Sequence, residues 1–576
     1  MRPRRLRALP RQPVQPARQP ALHPALHPAR HPTRQPDPAF RFRRLARAAA
    51  VALGCAGFAL PALAAQALPP DGARDVSRLL QPELHFASPQ LAAAAARGGI
   101  ELRTPVGSRV AGVLRLRGAD VVFEPAAPLA ACSTYTLVAR ATAVRRRFTT
   151  ACSRWSEPEQ IDDRLTAHRP GRGADDVQLA SAGMAGALAA WSQSNGHRGA
   201  VEASVLHADT SSWGAPHAID LRGAGGAALP SLATLADGHV LAAWIQDVHG
   251  HAGVYARVVG QAGPPRRLDD PARPVGPAEV RVAADADGHA VAVWQQPGAR
   301  HSAVWAAHWD SGTARWTPPR QLDPSGPPGY APVVAGAGDD RFVVAWERGP
   351  AGSESVAGSR WQRGRWTAPR RLSVAGARAQ RPLLALSDDG RLLGMAWIQG
   401  RGRQRRVALA RWRLGDEAMP PARVLRVPGL HGAAASAALA FDPAGNLSLA
   451  WEQSPQASSP DGIEAVRWAR DAAGPGPATR LDPPGQRSAG NPVLVSDPAG
   501  NLVCAWYQDS RQGLQVLAAR YDASNARWQG ALLLSDTRRT VQASFPDLTV
   551  DAAGSVTAAW QQFNGWRDII VASRLP

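Results

Sequence analysis

The sequence predicts an all-β protein in which one strand-rich unit is repeated up to the C-terminus. An apolar segment that ends in tryptophan recurs at separations of 50 to 55 residues. Each copy holds four short strand signals, rich in Val and Leu and bounded by Gly, Pro or Asp, which are too short for helices. Four strands in a repeat of about fifty residues are typical of a β-propeller blade. The repeat tryptophans are Trp191, Trp244, Trp294, Trp346, Trp397, Trp451, Trp506 and Trp560.

Residues 1–65 precede the predicted folded part and divide into two segments. Residues 1–40 form a low-complexity leader, rich in Pro, Arg and His, whose composition predicts disorder. Residues 41–65 have the basic, apolar and small-residue regions of a secretory signal peptide, and the apolar run is too short to span a bilayer. We therefore expect an exported protein, periplasmic or extracellular, with no transmembrane segment in the mature chain. A lipoprotein site at Cys55 is a minor alternative.

Residues 66–152 carry a different pattern. It has an opening turn with Pro and Gly, a pair of strands with Phe, Pro, Leu and Tyr, and a closing Phe-Thr strand. In this pattern the segment resembles the bacterial Ig-like domain of S-layer proteins, from which it departs by carrying two cysteines. The resemblance implies a β-sandwich that acts as a spacer or presenter and performs no chemistry. The residues that carry it are Pro70, Gly72, Phe86, Phe123, Pro125, Leu129, Tyr135 and Phe148.

Two cysteines, Cys132 and Cys152, frame the last hairpin of this segment. With a turn near Thr142, we expect Tyr135 to pair with Thr149 and Cys132 to pair with Cys152. Both thiols would then lie at the same end of an antiparallel pair, within bridging distance. Because an exported protein meets an oxidising compartment, we predict a disulfide, with two separate buried thiols as the alternative.

The ends of the repeat region predict how a ring would close. A short final strand, such as RWTPPRQLD from Arg315, completes a repeat, but the eighth repeat ends at VASRLP without one. One unpaired copy, RWSEPEQID from Arg154, stands before the first repeat. If residues 154–162 complete the C-terminal blade, no sheet edge is left open. We therefore predict a β-propeller over residues 153–576 with eight four-stranded blades, or alternatively seven.

Charge and cysteine content exclude some classes of function. The formal net charge is +20, but residues 1–65 contribute +11 of it and leave +9 for the other 511 residues. This mildly basic balance does not indicate a nucleic-acid partner. The four cysteines form no CxxC pair and no Cys/His cluster at ligand spacing, so the sequence predicts neither a metal site nor a cofactor.

Some hairpins of the repeat resemble the Asp-box turns of sialidase-type propellers, for example WDSGTARW from Trp309 and YDASNARW from Tyr521. The resemblance implies catalysis by a Tyr nucleophile that a Glu activates, with three Arg for the substrate carboxylate and an acid Asp. Tyr330 is the tyrosine best placed to face a central channel, because it stands where a loop leads into an inner strand. Its sequence neighbourhood, PSGPPGYAPVV, contains no Glu.

Three repeated or clustered polar features each have a structural and a functional interpretation. A Gln stands two residues after the repeat Trp in seven of eight copies, and Arg348 takes its place in the other. We favour a structural role, in which the Gln bonds the neighbouring backbone, over a ring of amides that binds a ligand. The Asp residues of the Asp-x-x-Gly turns are expected to accept local hydrogen bonds instead of binding calcium. Residues 401–413 contain six Arg, which form either a solvated loop or an anion-binding edge.

Together these patterns favour a secreted or periplasmic, non-catalytic binding or scaffold protein. We expect its propeller to recognise a glycan or a protein, with an anionic ligand as one form of that expectation. The alternative is an exo-acting, sialidase-like glycosidase. The repeat itself does not identify the ligand, because propeller specificity depends on individual loops.

Overall fold

The computed structural model describes most of the chain after residue 63. All described residues belong to one compact unit, Pro61–Pro576. The leader and almost all of the predicted signal peptide lie outside them, as does Cys55. No helix in the described part is long and apolar enough to cross a membrane. The described residues are 64–76, 81–104, 107–126, 129, 134–140, 144–150, 154–162, 173–183, 186–207, 210–272, 279–298, 301–387, 389–416, 422–425, 432–454, 461–483, 487–523, 526–535 and 542–576.

The N-terminal module consists of two four-stranded sheets and one helix. Its sheets have the strand orders β1-β3-β6-β5 and β2-β8-β7-β4. The helix α1 was not expected; Ser88 caps its first turn through its hydroxyl, Pro89 opens it and Gly98 ends it. The elements are β1 (Ala64–Leu68), β2 (Ala73–Val76), β3 (Glu83–Phe86), α1 (Pro89–Arg97), β4 (Ile100–Arg103), β5 (Gly112–Arg117), β6 (Asp120–Pro125), β7 (Thr134–Ala139) and β8 (Val144–Thr150).

The hairpin of β7 and β8 corrects one predicted register. Tyr135 pairs with Phe148, and Thr149 pairs with Thr134 instead of with Tyr135. The expected pairing was therefore wrong by one residue, because Ala139 pairs with Val144, which centres the hairpin half a residue before Thr142 instead of on it. Cys132 and Cys152 themselves lie outside the described residues, so the disulfide stays a prediction.

After the short strand β9 (Glu159–Gln160), the described chain forms eight antiparallel sheets. The first four contain β10 (Ala174–Ser181), β11 (Gly186–Ser194), β12 (Gly199–His207), β13 (Ser212–Trp213) and β14 (His217–Ala218); β15 (Ala227–Thr234), β16 (Val240–Val248), β17 (His251–Val258) and β18 (Arg266–Arg267); β19 (Val280–Ala284), β20 (Ala290–Pro297), β21 (Ser302–Asp310), β22 (Arg315–Trp316) and β23 (Arg320–Gln321); and β24 (Gly329–Gly336), β25 (Phe342–Arg348), β26 (Ser355–Gln362), β27 (Arg365–Trp366) and β28 (Arg370–Arg371).

The other four follow in the same order. They contain β29 (Ala379–Leu386), β30 (Leu392–Gln399), the 3₁₀-helix Gly402–Gln404, β31 (Arg406–Arg413) and β32 (Arg423–Val424); β33 (Ala434–Phe441), β34 (Leu447–Gln453), β35 (Gly462–Trp468) and β36 (Thr479–Arg480); β37 (Ala489–Ser496), β38 (Leu502–Ser510), β39 (Gly513–Asp522), β40 (Arg527–Trp528) and β41 (Leu532–Leu533); and β42 (Gln542–Val550), β43 (Val556–Phe563) and β44 (Asp568–Leu575).

These sheets pack in a cycle. The first strand of each sheet contacts the first strand of the next, and β42 of the eighth sheet contacts β10 of the first. The eighth sheet takes its outer strand from before the first repeat, since β44 pairs with β9. Ile161 and Ser156 add backbone hydrogen bonds to this seam. Four of the sheets have a fifth short strand, which pairs with the third strand beside the fourth, as β13 and β14 both pair with β12. A cyclic stack of such antiparallel sheets is the arrangement of a β-propeller.

The repeat tryptophan is the centre of each sheet. All eight are at most 2% exposed. Each lies on the second strand of its sheet, which is covered on both faces by neighbouring sheets. The indole N–H of seven of them donates to the Gln two residues later, over 2.8 to 3.3 Å.

The same Gln side chains also bond backbone carbonyl groups of the segment that leads into their own sheet. Gln246 donates to the carbonyl of Leu221 and Gln453 to that of Gly432, both over 3.0 Å. The structural interpretation of the Gln series is therefore confirmed. Where the series is broken, Arg348 bonds Asp323 at 2.6 Å.

The two ends of the ring differ in their chemistry. At the end that we call the turn end, the hairpin between the first two strands of a sheet carries Gly at positive φ, for example Gly238 at 81° and Gly554 at 84°. At the other end, called the mouth, the first strands begin and the tryptophan strands finish. Ala553 of the eighth turn packs against the core of the N-terminal module, so the module contacts the turn end.

Candidate functional site

The first strands share a bulge at the mouth. In six sheets the strand register shifts at this point and the bulged residue has a positive φ. Such a backbone is rare for residues other than Gly, and it occurs preferentially near binding sites. The residues with positive φ are Asp176, Leu229, Ala331, Arg381, Asn491 and Phe545.

The bulge places its neighbours beside the residue that follows the repeat Trp. In the fourth sheet Tyr330 pairs with Glu347, and in the seventh Gly490 pairs with Tyr507. Side chains of directly paired residues stand on the same face of a sheet. Unlike the Trp and the Gln, the residue between them is not constant, and five residue types share the eight positions: Ser192, Ile245, Gln295, Glu347, Ile398, Glu452, Tyr507 and Gln561.

Glu347 and Arg381 join the fourth and fifth sheets at the mouth. The backbone N–H of Arg381 donates to Glu347 Oε1 over 2.8 Å. Burial raises the pKa of Glu347 above its usual value of 4.5, while this hydrogen bond and the nearby Arg381 charge oppose the rise. The side chain of Arg381 is exposed, and that of Glu347 is half-buried.

Glu452 of the sixth sheet is a second half-buried carboxylate. Ser436 Oγ donates to its Oε2 over 2.7 Å. Burial raises its pKa and the neighbouring charge of Asp461 adds to the rise, whereas Ser436 and Arg381 lower it. Because Arg381 acts on both glutamates, the three side chains form one electrostatic cluster.

Tyr507 of the seventh sheet extends this cluster. Burial raises the pKa of its hydroxyl, and the charges of Glu452 and Asp461 raise it further. A Cβ atom at Gly490 would lie 2.6 Å from the Tyr507 hydroxyl and 2.9 Å from Glu452 Oε2. A larger residue at this position would therefore force the Tyr507 or the Glu452 side chain to move. We call Tyr330, Glu347, Arg381, Glu452 and Tyr507 the mouth cluster; it offers acceptors and donors of both charged and neutral kinds.

The mouth cluster contains one tyrosine that the sequence singled out and a glutamate that it missed. Tyr330 has no Glu in its own segment, but Glu347 comes from the next strand of the same sheet. The signal was the strand register, which cannot be read from residue types near Tyr330 alone. Tyr255 and Tyr521 lie in third strands and are buried core residues, so they do not contribute to the mouth.

The aspartates of the turn end are local acceptors, as the sequence predicted. Asp497 Oδ1 accepts from the N–H groups of Ala499 and Asn501, and Asp551 Oδ1 accepts from those of Ala553 and Ser555, all at 2.9 Å. These bonds close the turn.

The Arg-rich segment of the fifth sheet is partly anchored. Arg401 donates to the carbonyl of Gly352, Arg406 to that of Gly432, and Arg411 to that of Ala469. Arg403 and Arg413 are exposed. The segment is thus neither wholly solvated nor a group of six free cations.

One group of potential metal ligands occurs among the described residues: His289, His308 and Asp340, whose ligand atoms lie within 4.8 Å of one another. His308 Nε2 bonds Asp340 Oδ1 at 2.5 Å, and the His308 ring stacks against Trp361 with centroids 4.5 Å apart. Trp361 Nε1 also donates to Asp340. These residues come from distant parts of the chain, so ligand spacing could not reveal them.

No family model matches the chain, and no curated protein matches it. Solved structures do match, at low similarity. A protein of unknown function from Dyadobacter fermentans has 11% identity and a TM-score of 0.37, over 73% of this chain and 98% of its own. An ulvan lyase bound to a sulfated disaccharide repeat has 12% identity and a TM-score of 0.41, over 70% and 94%. The α-L-arabinofuranosidase of Fusarium graminearum has 11% and 0.33, over 52% and 93%.

Proposed function

We propose that residues 153–576 form an eight-bladed β-propeller that recognises a glycan at its mouth without turning it over. We propose further that the protein is exported by residues 41–65 and that residues 66–152, an Ig-like module, present the propeller. The observation that carries the proposal is the mouth cluster, in which an exposed Arg381 stands between two half-buried carboxylates, Glu347 and Glu452.

A glycan fits this cluster because sugar hydroxyls both donate and accept hydrogen bonds. The carboxylates accept from hydroxyls, whereas the guanidinium and the tyrosine hydroxyls donate to them. Three exposed aromatic residues occur at the same end of the eighth sheet: Phe545 in the bulge, Phe563 at the end of β43 and Trp566 in the loop that follows. Aromatic rings that are exposed to this degree offer flat apolar surfaces on which sugar rings can pack.

Binding is favoured over turnover because the carboxylates already have structural partners. Glu347 accepts from the Arg381 backbone, and Glu452 accepts from Ser436, which in turn accepts from the backbone N–H of Asn491. Both glutamates thereby hold the bulge of a neighbouring sheet.

The module supports the same proposal by its position. The module contacts the turn end through Ala553, and this contact does not cover the mouth. A module attached there would present the mouth outward.

A sialidase-like exo-glycosidase is the second candidate. The pairing of Tyr330 with Glu347 favours it, because a Tyr nucleophile requires an adjacent general base.

The test combines retention and turnover. We expect the protein to be retained on an array of neutral and anionic oligosaccharides, with salt-sensitive retention on anionic members because the folded part is basic. Glu452→Gln and Arg381→Gln should each weaken retention by about tenfold or more, the size of a hydrogen bond to a charged group. Asp310→Ala, which changes a turn away from the mouth, serves as the matched control. No fluorescent aglycone should be released from sialosides or common exo-glycosides.

Two outcomes would contradict the proposal. Turnover that disappears in Tyr330→Phe would favour the glycosidase over the binding protein. Absence of both turnover and retention would replace the glycan by a protein partner.

A further inference from the structure

One arginine of the repeat has lost the partner that its counterparts keep. In sheets four to eight, the third strand carries an Arg opposite the residue three places before the repeat Trp. In sheets six to eight this Arg forms an ion pair with the Asp of the turn in the same sheet. These pairs are Arg467 with Asp442, Arg520 with Asp497 at 3.5 Å, and Arg574 with Asp551 at 2.7 Å.

In the fourth sheet the Asp is replaced. Ala337 occupies its place in the turn, and the guanidinium of Arg360 forms no ion pair or hydrogen bond with any described residue. The guanidinium carbon Cζ of Arg360 instead lies 4.8 Å from the centre of the Trp412 ring. The fifth sheet also lacks the Asp, but there Arg411 donates to the carbonyls of Ala469 and Ala472. Arg360 is thus the member of the series without an acceptor in the described chain.

Arg360 lines a cavity of about 360 Å³ between the fourth and fifth sheets. Two more arginines, Arg370 and Arg371, line it, and none of the described lining residues is acidic. Arg371 is held by the carbonyls of Ser373 and Val374.

Further donors and apolar groups complete the lining. Trp412, which also lines the cavity, is 6% exposed, and its indole N–H has no hydrogen-bond partner among the described residues. Apolar surface is supplied by Val343, Leu372 and Met395.

The charges in this cavity are uncompensated. Burial lowers the pKa of Arg360, and the adjacent charge of Arg370 lowers it further. Two guanidinium groups beside each other and without a carboxylate are unfavourable unless an anion joins them. Two oxygens of one carboxylate or sulfate group can accept two parallel hydrogen bonds from a guanidinium, which Lys could not supply in that geometry.

We propose that this cavity binds an oxyanion group, sulfate or carboxylate, carried on a small ring. The oxyanion bonds Arg360 and Arg370, and the ring packs on the apolar lining beside Trp412. The site is separate from the mouth, because Arg360 stands towards the turn end of its strand, and it does not depend on the function proposed for the mouth.

The probe is 4-nitrophenyl sulfate, titrated calorimetrically into the full chain, with neutral 4-nitrophenyl glucoside and inorganic sulfate as comparison ligands. We expect 4-nitrophenyl sulfate to bind, to bind more weakly as salt rises, and to outcompete inorganic sulfate. The neutral glycoside should not bind at this site. Arg360→Gln should weaken binding by about tenfold or more, the loss of a charge-assisted hydrogen bond.

Ala337→Asp supplies the carboxylate that sheets six to eight possess, and it should weaken binding similarly while leaving every Arg in place. Arg370→Gln provides a second variant in case the buried Asp prevents folding. Arg365→Gln, at an exposed position on the neighbouring hairpin, is the control for loss of one positive charge and should bind like the unmodified chain. Unchanged binding in Arg360→Gln and Ala337→Asp, or no binding at millimolar probe, would overturn the proposal. Equal affinity for inorganic sulfate would overturn the role of the apolar lining.

Discussion

The two ends of the sheet ring share one repeated backbone but differ in how far their side chains repeat. At the turn end, the sixth, seventh and eighth sheets repeat one arrangement, in which an Asp closes the turn and pairs with an Arg of the third strand. At the mouth, the residue after the repeat Trp is not constant, and five residue types share the eight positions. Side chains that recur satisfy each other within one sheet, whereas side chains that vary meet partners from neighbouring sheets. In this molecule repetition therefore indicates structure, and departure from the repeat indicates a candidate site.

Removal of the closing strand is the strongest test of the ring on which this comparison depends. Without residues 153–162, β44 loses its pairing with β9 and Arg567 loses Asp162, its buried partner at 2.6 Å. An open edge and an uncompensated buried charge should together abolish soluble expression or lower the melting temperature severely.

Two measurements separate these causes. Asp162→Asn keeps the strand and removes the charge, so it should melt between the truncated and full chains. A truncated chain that melts where the full one does would show that the ring does not need this strand.

The turn end should be sensitive to single substitutions. Asp551→Ala removes the acceptor of two turn N–H groups and leaves Arg574, which is 93% buried, without its carboxylate. We expect a loss of about 3–5 kcal/mol in the free energy of unfolding, typical of breaking one side of a buried pair. Urea denaturation measures it.

Asp310→Ala provides the comparison, because Asp310 accepts a turn N–H from Thr313 over 2.9 Å but is not part of a repeat ion pair. It should lower the free energy of unfolding by less than Asp551→Ala does, because the lost hydrogen bond is exposed to water and no buried charge is left behind. Equal losses in the two variants would show that the repeated Arg–Asp pair adds nothing to the turn.

The sequence predicted the all-β fold of antiparallel sheets because each strand and each turn has its own local residue pattern. Each tryptophan strand is apolar on both faces, and Gly554 and its counterparts mark the turns. The structural role of the Gln two residues after the Trp was also predicted correctly. One residue type that is repeated in seven sheets is expected to meet one repeated partner. The one-residue error at Tyr135 shows the limit of this reasoning, because a turn can tighten without any change in residue pattern.

The candidate sites were less predictable, because they depend on contacts between strands and between sheets. Glu347 reaches Tyr330 through strand register, and Arg381 reaches Glu347 across a sheet boundary. Arg360 could be recognised only after its counterparts were seen paired with Asp. The helix α1 was missed because the resemblance to a β-sandwich outweighed the run of alanines after Pro89.

The mouth should show the smallest effect on stability, and the size of this effect should depend on pH. Burial raises the pKa of Glu347, so on raising the pH above about 4.5 the unfolded chain loses this proton before the folded chain does. The ionised carboxylate then lowers stability. Glu347→Gln keeps an acceptor for the Arg381 N–H and cannot ionise. It should match the unmodified chain at pH 4 and be equally or slightly more stable at pH 8, by about 1 kcal/mol or less.

Glu354 in the same sheet is the control of opposite sign. Burial raises the pKa of Glu354, but hydrogen bonds from Arg378 and the Gly352 N–H outweigh burial and lower this pKa below 4.5. Its ionised form therefore stabilises the fold above the unfolded pKa, and that stability is lost as the pH falls through the lowered one. Glu354→Gln should be less stable than the unmodified chain at pH 8 and approach it in acid. Urea unfolding of both variants at pH 4, 6 and 8 distinguishes the two behaviours. If Glu347→Gln loses stability at pH 8 as Glu354→Gln does, Glu347 serves the fold as the turn-end carboxylates do, and the contrast between the two ends fails at this position.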